Sequence, residues 1–160
     1  MRENIIEGLI RQFESSCKMI REAIQNVPDE RWHDGVKGWF YSNTAYHIVE
    51  TMDFYSRSSP DGMKWGKKAG YIWSESIDIE SEILPKITKK IVSEYLGEVE
   101  SNLRNSLESI DIKSLGEQDG FEWFPSRFEK LLYLLRHSMH HCGELSKTLR
   151  EWDCKRVFWT

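Results

Sequence analysis

The chain has 160 residues, of which 39% are hydrophobic, 30% charged and 12% aromatic, a composition typical of one folded domain and not of a disordered chain. The formal net charge of −4 gives no reason to expect nucleic acid or an anionic membrane surface as a partner. No apolar run reaches the roughly 18 to 20 residues that a membrane span requires.

The cellular location is predicted from the N-terminus and the cysteines. The opening stretch MRENIIEGLIRQFESS interrupts its apolar residues with charges at helical spacing, which is not the pattern of a signal peptide. The three cysteines, Cys17, Cys142 and Cys154, are few, odd in number and far apart. We therefore expect a cytoplasmic protein without a disulfide framework.

Four amphipathic helices are predicted in chain order from apolar residues spaced three and four apart. They cover residues 3–26, residues 43–58 with Ser42 as N-cap, a stretch that follows Thr88, and a stretch that ends near Glu151. The last one opens with a capping box formed by Ser126 and Glu129. Its apolar face is predicted to contain Leu131, Leu132, Leu135, Met139, Cys142, Leu145 and Leu149.

The pattern predicts an all-α fold, because no segment outside these helices alternates long enough to form a strand. We expect a single domain over residues 1–160, folded as an antiparallel four-helix bundle with a long loop between helices two and three. That loop, residues 59–85, contains WGKKAGYIW. It is either a lid whose Trp65, Tyr71 and Trp73 contact a substrate at the mouth of a site, or a connector whose aromatic residues cap the core.

Three of the five histidines lie within LLRHSMHHCGEL in the fourth helix. At about 100° per residue, His137 and His141 lie about 40° apart on one side of the helix, a spacing at which two imidazoles can reach one ion. His140 points about 100° away from His141 and is predicted to be a solvated bystander. A third ligand from another helix is needed, and His47, at the edge of the second helix's apolar stripe, is a stronger candidate than His33. The ordinary alternative is a set of surface or packing histidines.

The chain resembles the DinB/YfiT-like superfamily of metal-binding four-helix proteins over nearly its full length. The resemblance is carried by NTAYHIVETMDFY in the second helix, by LLRHSMHHCGEL in the fourth, and by the ending LREWDCKRVFW. In the family an H-x-x-x-H pair runs into an RGQ-like segment, which is CGE here. Cys142 thus replaces the usual basic residue and Glu144 the usual amide, while Gly143 is retained.

The resemblance implies that His47, His137 and His141 bind a divalent ion, zinc or nickel, with water in the open positions. Such an ion lowers the pKa of bound water toward about 7 or activates a thiol, and relatives are hydrolases or transfer low-molecular-weight thiols. The expected function is that of a metal-dependent enzyme of one of these types, acting on a small molecule. The alternatives are a metal-binding stress protein without turnover and a dimeric helical bundle with a vestigial site.

Three nearby side chains have two interpretations each. Glu144 is either a weak candidate for a catalytic or ligand-orienting carboxylate or a plain surface residue. Glu50, one turn after His47, has the same two interpretations. Cys142 is favoured as a small core residue over a nucleophile because it lies on the apolar face. Finally, the seven tryptophans and the pairing of relatives predict a homodimer.

Overall fold

A computed structural model describes residues 2–36, 39–70 and 87–160. Five α-helices occur among these residues, four of them long. The helices are α1 (Arg2–Asn26), α2 (Tyr41–Ser56), α3 (Lys89–Ser109), the short α4 (Ile112–Leu115) and α5 (Arg127–Glu151). The all-α class predicted from the sequence is confirmed. None of the described helices has the length and apolar character needed to cross a bilayer.

A small antiparallel ladder precedes α2, contrary to the prediction that no strands form. Its strands are β1 (Gly35–Val36) and β2 (Trp39–Phe40), with Gly35 opposite Phe40 and Val36 opposite Trp39. Gly35 has a φ of +143°, and a Cβ at this position would lie 3.0 Å from the Trp39 carbonyl oxygen. Glycine is therefore required for the close approach of the two strands. Strands of two residues are too short to show alternation, which explains why the sequence pattern missed them.

Of the two N-caps predicted from the sequence, Ser126 is confirmed and Ser42 is not. The Thr88 hydroxyl accepts a hydrogen bond from the Ile91 amide at the start of α3, and the Ser126 hydroxyl accepts one from the Glu129 amide at the start of α5. Ser42 is not an N-cap, since α2 already begins at Tyr41. Its hydroxyl instead hydrogen-bonds His33 Nδ1 at 3.0 Å.

The long helices pack in four pairs: α2 against α3 and α5, and α1 against α3 and α5. The core lies between them and includes the large, fully buried side chains of Ile20, Ile48, Met52, Leu96 and Leu145. Since α2 and α5 are in contact, side chains at the edge of their shared seam lie close together. The histidines occupy this seam.

The buried face of α5 differs from the predicted one in its first half. Leu132 is 44% exposed, whereas Lys130, Leu134 and Ser138 are buried. A pattern search that accepts only apolar residues as buried cannot find a face that includes a lysine and a serine. The second half, with Cys142, Leu145 and Leu149 buried, is as predicted.

The buried Lys130 is held by partners on every side. Its ammonium donates to an Asp119 carboxylate oxygen and to the Arg57 carbonyl at 2.6 Å, and lies 4.2 Å from the centre of the Phe121 ring. Asp119 in turn accepts a hydrogen bond from the Phe121 amide. This cluster joins the segment before α5, which contains Asp119, to Arg57 at the end of α2.

Candidate metal centre

Three histidine side chains meet where α2 packs against α5. His47, His137 and His141 each present one ligand nitrogen, and these atoms all lie within 4.8 Å of one another. The ring centres are 4.6 to 5.0 Å apart. All three residues are half-buried, so the group is partly shielded from bulk water.

The helices account for this arrangement. His137 and His141 are one turn apart, and their side chains therefore project from the same side of α5. His47 faces them from α2, and its Nε2 lies 3.2 Å from Nε2 of His137. Two nitrogens that are each about 2.0–2.1 Å from a zinc ion in tetrahedral geometry are separated by about 3.3–3.4 Å. The observed separation is thus close to what one ion requires of two ligands.

Burial keeps two of the imidazoles in the neutral form that binds metals. The loss of solvent, together with the neighbouring His141, lowers the pKa of His47 from 6.5 to about 4. The pKa of His137 is also lowered to about 4, by burial first and then by His47 and the histidines of its own helix. Near neutral pH both rings therefore carry lone pairs and no charge.

Glu144 joins the group through His141. One carboxylate oxygen lies 2.6 Å from Nδ1 of His141, which orients the ring and leaves its Nε2 for another partner. The other oxygen lies 3.6 Å from Nε2 of His140, whose side chain is 68% exposed. His140, His141 and Glu144 form a second set of possible ligands, but two of its three members are exposed.

His137 has a polar atom without a partner. Its Nδ1 is buried and makes no hydrogen bond among the described residues. Buried polar atoms without partners are uncommon and are destabilising. The donor set of three imidazoles, of which only His141 has a carboxylate at its Nδ1, suits zinc, nickel, copper or iron.

The other candidates considered from the sequence lie elsewhere or have structural partners. His33 hydrogen-bonds Ser42 and does not belong to either possible ligand group in the described chain. Glu50 is buried and accepts hydrogen bonds from the Tyr46 hydroxyl and the Gly66 amide, so it fastens the loop after α2. Cys142 is fully buried, and burial raises the pKa of its thiol to about 11, which argues against a nucleophile.

Of the three loop aromatic residues predicted to contact substrate, only Trp65 lies within the described residues. Its ring packs on Phe54, with centres 4.9 Å apart, and Phe54 lies two turns after His47 on α2. Tyr71 and Trp73 lie outside the described residues. A role for these side chains at the mouth of the site stays a prediction.

Two aromatic residues beside the histidines were missed in the sequence. The Trp39 ring, on β2, lies 5.7 Å from the centre of the His47 ring and 6.2 Å from that of His141. Tyr133 stacks on His137, with ring centres 6.0 Å apart. Tyr133 could have been predicted from the sequence to lie beside His137, because it precedes His137 by one turn on the same side of α5. Trp39 carried no such signal, because its position depends on the short ladder.

Comparisons with known proteins add no relative: no protein-family model, curated protein or solved structure matches this chain.

Proposed function

We propose that this protein binds one divalent metal ion through His47, His137 and His141. The observation that carries the proposal is the convergence of three half-buried ring nitrogens within 4.8 Å from two packed helices. We also propose that the four long helices form an antiparallel bundle, as in the DinB/YfiT-like proteins that the sequence resembles. The four helix pairs in contact support this arrangement.

Each residue has a defined part in this site. His47 and His137 donate neutral imidazoles, and their lowered pKa values limit competition from protons. Glu144 accepts the Nδ1 proton of His141 and so favours the tautomer whose Nε2 is free. When bound, a zinc or nickel ion supplies Lewis acidity toward a small ligand.

We further propose that the site serves a metal-dependent enzyme of hydrolase or low-molecular-weight-thiol transferase type. The support is the number of donors: three half-buried protein ligands are what catalytic zinc sites typically use, whereas structural sites almost always use four. Metal storage without turnover is the second candidate, since the exposed His140 and Glu144 beside the site offer additional ligands.

The test compares chelator-stripped protein with protein reloaded with zinc or nickel. Bound metal is measured first by elemental analysis, and we expect one ion per chain. The same samples are then assayed for ester hydrolysis and for the addition of a small thiol to an electrophile. Turnover that requires the metal supports the enzyme; one bound ion without turnover in either assay supports storage; no bound metal contradicts both.

A further inference from the structure

We propose that Trp39 selects ligands for the metal site, favouring small molecules that carry a planar aromatic group next to their metal-binding group. This inference rests on the metal site proposed above. It adds a binding surface for the part of the ligand that does not touch the ion.

The position of Trp39 supports this role. Its ring lies against the rings of both His47 and His141, one from each helix of the site. Even so, the residue is 48% exposed. An exposed indole beside an open coordination site offers apolar surface where a bound ligand would extend.

The chain around Trp39 holds it in place. Trp39 pairs with Val36, and the close contact at Gly35 admits no side chain between the strands. At the other end the Tyr41 amide donates to the Asp34 carbonyl at 2.9 Å, which joins the ladder to the first residue of α2. The ladder therefore fixes the backbone of Trp39, and the His47 and His141 rings restrict its indole, so the side chain loses less entropy when a ligand binds.

An aromatic partner is the chemistry that this surface favours. Rings beside Trp39 can adopt the offset or edge-to-face arrangements that aromatic pairs prefer, and they also gain from burial of the exposed indole. Such a contact changes affinity by roughly three- to ten-fold. An aliphatic group of similar size gains the burial but not the ring–ring contact.

The test uses protein loaded with Co²⁺, whose visible absorption reports both the ion and any ligand that coordinates it. Acetate, cyclohexanecarboxylate and benzoate share one metal-binding group and differ in the attached part. We expect benzoate to bind tightest, and Trp39→Ala to weaken benzoate roughly three- to ten-fold while changing acetate little. Trp39→Phe should keep most of the preference for benzoate.

Trp123→Ala is the matched control. Trp123 is 56% exposed, and its ring contacts are with Phe121 and Phe124 instead of the histidines. We expect this variant to bind all three carboxylates as the parent protein does. A retained cobalt spectrum shows that each variant is folded at the site.

The outcomes separate this inference from the proposal on which it rests. Cobalt binding with equal affinities for benzoate and cyclohexanecarboxylate, or an equal loss of all three ligands in Trp39→Ala, overturns the role of Trp39 alone. Absence of cobalt binding in the parent protein overturns the metal site and this inference with it.

Discussion

Two polar clusters lie where α5 packs against α2, and they differ in how their polar atoms are paired. In the first, Lys130 and Asp119 are both buried, and each satisfies the other with help from backbone groups. In the second, two to three turns further along α5, three imidazoles face one another, and the Glu144 carboxylate contacts one of them, His141. Both clusters place polar atoms in the interior, but the Lys130 ammonium and the Asp119 carboxylate each have a protein partner of opposite charge, whereas Nδ1 of His137 has no hydrogen-bond partner among the described residues.

We propose that this difference separates a cluster that serves stability from one that serves ligand binding. Buried charges are costly unless they are paired and hydrogen-bonded, so a structural cluster must satisfy all its members. A ligand site must instead keep atoms available. The Nδ1 of His137 is buried without a hydrogen-bond partner among the described residues, which is destabilising, and the lowered pKa values of His47 and His137 add a cost in free energy below about pH 6.5. The following predictions test this contrast.

Lys130→Ala should have the largest effect on stability. The change leaves the Asp119 carboxylate buried without its ammonium partner, which typically lowers the free energy of unfolding by about 3–5 kcal/mol. Urea denaturation of metal-free protein measures this loss. Metal affinity measured under native conditions should stay close to that of the parent. A loss below about 1 kcal/mol would show that the pair is not a stabilising element.

Glu144→Ala should weaken metal binding by roughly 10- to 100-fold, because the carboxylate no longer orients the His141 ring. Glu144→Gln keeps an oxygen that can accept the Nδ1 proton, and we expect an intermediate affinity. Competition titration with a chromophoric chelator gives these values. Equal affinities for the parent and Glu144→Ala would assign Glu144 to the surface alone.

The stability of the metal-free protein should depend on these histidines at acidic pH. An unfolded histidine has a pKa near 6.5, whereas His47 and His137 have pKa values of about 4 in the folded chain. Between these values the unfolded state binds more protons, so stability falls as the pH falls from about 6.5 to about 4. The double variant His47→Gln, His137→Gln should show a shallower fall. Parallel stability curves for the variant and the parent would contradict the lowered pKa values.

His137→Ala should have the smallest effect on the stability of metal-free protein. The variant loses some packing, but it also removes a buried nitrogen without a partner, and we expect a net change of about 1 kcal/mol or less. The same denaturation experiment as for Lys130→Ala compares the two clusters directly. A destabilisation as large as that of Lys130→Ala would make the histidines a structural cluster as well.

The sequence predicted those features that depend on neighbours along one helix. Helix geometry alone places the side chains of His137 and His141 on one side of α5 and that of His140 on another, so this part of the site could be predicted. The apolar stripe of the second helix made His47 a candidate, and the family resemblance was needed to assign it as a ligand, since periodicity does not say which helix packs across α5. Trp39 was missed because a ladder of two-residue strands has no sequence signature.

The buried Lys130 and Ser138 were missed for a different reason. A search for apolar stripes assigns polar residues to the surface, and only the folded chain shows that Asp119 reaches Lys130 from eleven residues earlier. The same search placed Leu132 inside, although it is 44% exposed. The local sequence pattern was therefore enough to predict the helices. Which polar side chains are buried depends on contacts between residues far apart in the chain, which the pattern does not show.

The most direct test of the central claim is a metal titration of the parent protein and four single variants. Isothermal titration calorimetry of the stripped proteins with zinc should give one tight site per chain in the parent and in His140→Ala. His47→Ala, His137→Ala and His141→Ala should each lose this site, because each lacks one of the three converging ligands. Loss of the tight site in His140→Ala, with retention in His47→Ala, would instead place the ion at the exposed His140, His141 and Glu144 group and contradict the account.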